Sequence, residues 1–97
     1  MAHVAVVYEY GPDTQDLHAQ HAAAHVAFLQ RLMDQGVLTL SGRLDMDGRP
    51  GALLVLTAEP DQATTVLDED PFWTSGVVAQ RRVWPWTIAF GADALSR

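Results

Sequence analysis

The feature that most constrains this chain is the order in which its apolar periodicities change. Val4 to Tyr8 is a β-branched run closed by Gly11-Pro12, the pattern of a buried strand ending in a turn. From Asp13 to Gln35 the spacing becomes helical. Leu17, Ala24, Phe28, Leu29, Leu32 and Met33 recur on one side, and Gly36 is placed to follow the helix end. Asp13 suits the N-cap, and Asp13 and Asp16 both suit the positive end of the helix dipole. Val37 to Leu44 then alternates as a half-buried strand, Asp45 to Gly51 gathers turn-forming residues, and Ala52 to Leu56 supplies an antiparallel return. Pro60 opens a second, shorter helix that runs to Glu69 and is stopped by Pro71. Val77 to Phe90 reads as a long last strand with Trp84, Trp86, Ile88 and Phe90 on one face. Pro85 cannot donate a ladder bond, so it marks a sheet edge, a bulge or a subunit boundary.

The order βαββαβ predicts an α+β, ferredoxin-like fold: a four-stranded antiparallel sheet with both helices on one face. Ninety-seven residues predict a single domain over 1–97, with 91–97 as a loosely held tail. The second face of such a sheet would leave an apolar patch larger than a monomer normally exposes, which predicts a homodimer or higher homo-oligomer. Two sheets packed face to face would enclose a barrel-like space.

Composition excludes several function classes. The formal net charge is −6, there is no lysine, and only Arg81 and Arg82 among the six arginines are adjacent, so neither nucleic acid nor an anionic membrane is an expected partner. Without cysteine there is no disulfide, thiolate nucleophile or thiolate metal site. The first residues lack the basic region of a secretory signal, and no apolar run approaches the ~20 residues of a membrane span, so a cytoplasmic location is the expectation.

The chemistry therefore falls to His, Asp, Glu, Tyr and Arg. At 100° per residue His18 and His25 nearly eclipse and His21 lies about 60° away. Such a face could hold a metal, but His21 is followed by Ala22 rather than the Glu of a metalloprotease helix, and no metal or other cofactor is expected. His18 and His21 read as solvated residues near a pocket mouth. Phe28, Leu29 and Leu32 follow His25 on its own side and carry it toward the sheet. There it is either a core histidine bonded to a backbone carbonyl or an imidazole oriented by a carboxylate and able to exchange protons. Pro71 disfavours helix at Asp70 and projects that carboxylate from a rigid corner, either into a site or as the cap of a following turn. Asp68 and Glu69 read as solvated.

Several segments, taken in order, resemble the YCII-related (YciI-like) domains of the dimeric α/β-barrel group. They are His25-Val26-Ala27-Phe28-Leu29, Gly36-Val37-Leu38 leading to Ser41-Gly42, the glycine of Pro50-Gly51-Ala52, and above all Asp70-Pro71-Phe72 followed by Gly76-Val77. The resemblance covers nearly the whole chain and implies that His25 and Asp70 form a catalytic pair. The chain departs from the family pattern at Ala22, where an arginine is usual, and at Arg43, where a proline often stands. Both departures imply a ligand different from that of typical members.

The function this implies is a small, cofactor-free enzyme performing elimination, isomerisation or cyclisation on a small apolar or aromatic substrate. His25 would act as general base or acid, and Asp70 would hold its tautomer and stabilise the imidazolium. Tyr8, Arg43, Phe72 and Trp73 are the expected substrate-binding residues, and Trp84 and Trp86 the expected interface pair. Two alternatives stand beside this: a non-catalytic small-molecule binding module using the same cavity, and a cofactor-independent oxygenase of the dimeric α/β-barrel type.

Overall fold

Strand β1 (His3–Tyr10) lies inside the sheet of the computed structural model, which describes residues 2–96. β2 (Leu38–Met46), β3 (Arg49–Thr57) and β4 (Val78–Pro85) complete an antiparallel sheet of order β2-β3-β1-β4. Three helices, α1 (Gln15–Asp34), α2 (Pro60–Leu67) and α3 (Pro71–Thr74), contribute to one core with Val4, Val6, Tyr8, Leu54 and Leu56. The fold is the ferredoxin-like α+β arrangement that the element order predicts. Among the described residues no helix is long and apolar enough to cross a membrane.

Helix α1 buries His25, Phe28 and Leu32, one stripe at helical spacing. Each of the two apolar side chains contributes roughly 1.5–3 kcal/mol by leaving water. The helix ends in a Schellman motif. Gly36 at φ 77° donates to the Met33 carbonyl (3.0 Å) and Val37 to that of Leu32 (2.9 Å), satisfying two carbonyls that the helix leaves open. Its start differs from expectation: Asp13 takes a left-handed conformation (φ 58°) in the preceding turn, and Thr14 occupies the N-cap with no side-chain capping bond. Helix α2 begins with a capping box between Glu59 and Gln62 and has Pro60 in its first turn.

The hairpin is tighter than its turn-rich sequence suggests. Only Asp47 (φ 57°) and Gly48 (φ 87°) form the connection, a two-residue turn with both central residues left-handed, and Asp45 and Arg49 belong to the strands. Strand β4 stops at Pro85, short of Phe90. Trp86 adds one bond to the His3 carbonyl (3.0 Å), and Phe90 is 95% exposed. The proline does lie on an edge strand, where its missing donor costs no central ladder bond. Residues Ala92–Ser96 form a short 3₁₀ helix.

Strand alternation sends Val4, Val6 and Tyr8 toward the helices and Ala5 and Val7 to the opposite face. There Ala5 pairs with Val55 and Trp84, and Val7 with Leu53. That face is therefore largely apolar, and Leu40 and Trp84 stand 40% and 53% exposed.

Candidate active site

Three elements converge behind the middle of α1. Asp70 precedes α3 in an extended conformation (φ −65°, ψ 125°), which Pro71 favours in the residue before it. Its carboxylate is fully buried and accepts three hydrogen bonds. His25 Nδ1 lies 2.7 Å from Oδ1, the Phe72 backbone N–H donates to the same oxygen at 2.9 Å, and the Tyr8 hydroxyl donates to Oδ2 at 2.8 Å. Asp70 is thus both the cap of a following turn and the hydrogen-bond partner of His25. Pro71 closes the path of α2 and also starts α3.

The bond from Asp70 selects the His25 tautomer that carries its proton on Nδ1, because the carboxylate can only accept. In the neutral ring, Nε2 then holds the lone pair. Phe72 fixes the ring plane from one side, stacked at 3.8 Å between centroids and 7° between planes. His18 and Tyr10 extend this aromatic wall, with His18 4.6 Å from the Phe72 centroid and Tyr10 5.8 Å from it. Burial and the neighbouring Asp70 charge push the Tyr8 phenol well above its ordinary range, so Tyr8 stays a neutral donor. Burial, and then Asp70, also raises Tyr10.

His25 opens on a cleft of about 260 Å³ between α1 and β2. Arg43 and Phe72 line it. Tyr8 does not, because its place in the buried stripe of β1 puts it beneath the floor, where it reaches only Asp70. Trp73 is also outside the cleft. It faces Arg81, whose guanidinium carbon sits 3.9 Å from its ring centroid while a nitrogen pairs with Asp68 at 2.7 Å. That ion pair gives Asp68 a structural partner its sequence position did not suggest.

Tyr10 and His18 line the cleft in positions the sequence reading missed or left at its mouth. Tyr10 was legible in principle, since it lies two residues after Tyr8 on a strand that continues further than its apolar run. Among the described residues no group of three His, Asp or Glu side chains is placed to hold a metal ion. His25 is engaged by Asp70 and His18 by Phe72, and His21 does not line the cleft.

Asp70 completes a compact polar arrangement: a buried carboxylate held by three donors, an imidazole bonded to it, and a small aromatic-walled cleft beside the ring. A similar architecture occurs in 5-chloro-2-hydroxyhydroquinone dehydrochlorinase (TftG) from Burkholderia phenoliruptrix AC1100, solved in complex with 2,5-dihydroxybenzoquinone. The two chains superpose with a TM-score of 0.76 at 22% identity, covering 88% of this chain and 93% of that one. No curated protein matches the sequence. The model of the YCII-related domain matches residues 1–87, and the chain belongs to the YCII-related domain family.

Proposed function

We propose that this protein is a small-molecule enzyme in which His25 transfers a proton to or from a bound substrate and Asp70 positions the imidazole. The observation that carries this reading is the 2.7 Å Nδ1–Oδ1 bond to a carboxylate with no solvent exposure, set behind a cleft. In an elimination, Nε2 takes a proton from a substrate hydroxyl or carbon. The released electron pair forms the new double bond and expels the leaving group, and the imidazolium formed faces the Asp70 charge. The name of the Burkholderia enzyme, a dehydrochlorinase, supports the elimination form of this chemistry. A cleft of about 260 Å³ is smaller than the ~300–1,000 Å³ typical of drug-sized ligands and suits a single-ring substrate.

Chloride release from 5-chloro-2-hydroxyhydroquinone and from other halogenated hydroquinones tests the proposal. His25→Ala and Asp70→Asn should each lower turnover by about 10²- to 10⁴-fold. Unchanged turnover in both variants removes the mechanism. Ligand binding without turnover of any panel member favours a binding module, and oxygen uptake favours the cofactor-independent oxygenase.

The open sheet face supports a second reading, that the working form is a homodimer. Ala5, Val7, Leu53 and Trp84 would meet the same face of another copy, closing two sheets into a barrel.

A further inference from the structure

Arg43 is an exposed arginine on the wall of the His25 cleft. Arg49 is paired with Glu9, Arg81 with Asp68 and Trp73, Arg82 with Gln80, and Arg31 lies over Phe28. Among the described residues, Arg43 makes neither an ion pair nor a hydrogen bond. Strand register places it on the helix side of the sheet, opposite Ala52, which in turn opposes Tyr8. It therefore stands on the β2 wall of the cleft while His25 stands on the α1 wall.

The surroundings sharpen this. The chain carries 12 acidic residues against 6 arginines, yet no carboxylate lines the cleft that His25 and Arg43 share. Asp70 is sealed behind His25 with its oxygens engaged by three donors. Ala22 and Ala52, both small, keep the cleft open. Tyr10, His18 and Arg43 also border a second hollow of about 530 Å³, so Arg43 sits where the two join. The hollow that adjoins the cleft carries Glu9 and Asp13, so a guanidinium without a carboxylate partner among the described residues, in a protein of net charge −6, is a local positive spot on the cleft side.

We infer that Arg43 is the specificity-determining residue of this cleft, and that the site takes a small, singly anionic ring compound whose oxyanion pairs with Arg43 while its ring lies over Ala52 beside His25. The inference rests on the proposed site but concerns ligand class rather than proton transfer. A planar guanidinium matches a carboxylate or a delocalised enolate through two parallel N–H···O bonds. It also places positive charge opposite the base, where an anion formed by proton loss would be held.

Benzoate and benzamide, which share a ring and differ in charge, are suitable probes. Titrations followed by backbone amide shifts should show benzoate binding about tenfold or more tightly than benzamide, the difference expected of one charge-assisted pair. The perturbed amides should include Ala22, Arg43 and Ala52. Arg43→Gln should bring the two probes within about twofold of each other, and Arg43→Lys should restore part of the preference. Separate 4-nitrophenolate (at about pH 8) and benzoate arms distinguish a phenolic from a carboxylate oxyanion. Equal affinity for benzoate and benzamide in the wild type, an unchanged preference in Arg43→Gln, or no benzoate-induced shift would each overturn the inference. A preference that Arg43→Gln removes stands even if no turnover is found, whereas turnover without any preference for anions defeats this inference alone.

Discussion

Tyr8 donates its phenolic hydrogen to Oδ2 of Asp70 across 2.8 Å, and neither residue has any exposure to solvent. Sixty-two positions separate them in sequence, so the bond ties β1 to the turn before α3. Because His25 engages the other carboxylate oxygen, Tyr8 and His25 hold Asp70 from two sides.

Replacing Tyr8 by Phe keeps nearly all the buried volume and removes one donor. Oδ2 of a buried carboxylate is then left without a partner, which should cost about 1–3 kcal/mol. Urea denaturation should show a lower midpoint with an unchanged slope. A loss below about 0.5 kcal/mol would mean that the bond adds no net stability.

The raised Tyr8 phenol has a consequence at alkaline pH. Its native value lies above the ordinary ~10, so between the two values the native state retains a proton that the unfolded chain has released. Stability is therefore fully present below about pH 10 and falls as pH rises beyond it, by roughly 1.4 kcal/mol per pH unit for one such group. Tyr10 is raised in the same direction, and the chain has no other tyrosine. Phenolate absorbance near 295 nm should consequently appear together with loss of far-ultraviolet ellipticity, not before it. A separate phenolate titration in folded protein, with a midpoint near 10, would contradict this.

Much of the scaffold was legible because local signals agreed with tertiary ones. Gly36, the buried stripe of α1 and the Glu59-Pro60 helix start each carry a local mechanism that the fold satisfies. The hairpin misled because Asp45, Arg49 and Pro50 are common in turns, yet a two-residue turn at Asp47-Gly48 already reverses the chain and frees them to pair. Of the candidate site, helix periodicity carried His25 toward the sheet and the proline corner left two readings of Asp70, while their pairing was implied only by the family resemblance. The roles of Tyr8 and Trp73 could not. Both are aromatic residues near polar ones in sequence, and whether they face the cleft, Asp70 or Arg81 is decided by sheet register and by the packing of α3.

Gly51 lies against the same stretch of β1. A Cβ there would overlap the carbonyl oxygen of Tyr8 and approach the terminal methyl group of Met46 to 2.6 Å. The methionine can move, but the Tyr8 oxygen is backbone, so Gly51→Ala must displace β1 or β3 at the position that sets the Tyr8–Asp70 bond. A destabilisation of about 1–3 kcal/mol is expected, with shifts of the Tyr8 ring resonances. Retained stability with unmoved Tyr8 resonances would show that the strands part locally without cost.

The proposed dimer makes the clearest demand on the open sheet face. Trp84 is 53% exposed there, beside Ala5 in the register, so the described residues leave about half of it open. Trp84→Glu would place a charge opposite an apolar surface in the dimer, while in a monomer it replaces a half-exposed edge residue at little cost. Sedimentation velocity at micromolar concentration should give a dimer for the wild type and a shift toward monomer for the variant, with far-ultraviolet circular dichroism unchanged. If wild type and variant sediment alike as monomers, the apolar face is stable in water by itself and the barrel reading fails. If both remain dimeric, association uses another surface, for which the end of the molecule bearing Trp86 and Ile88 is the next place to introduce charge.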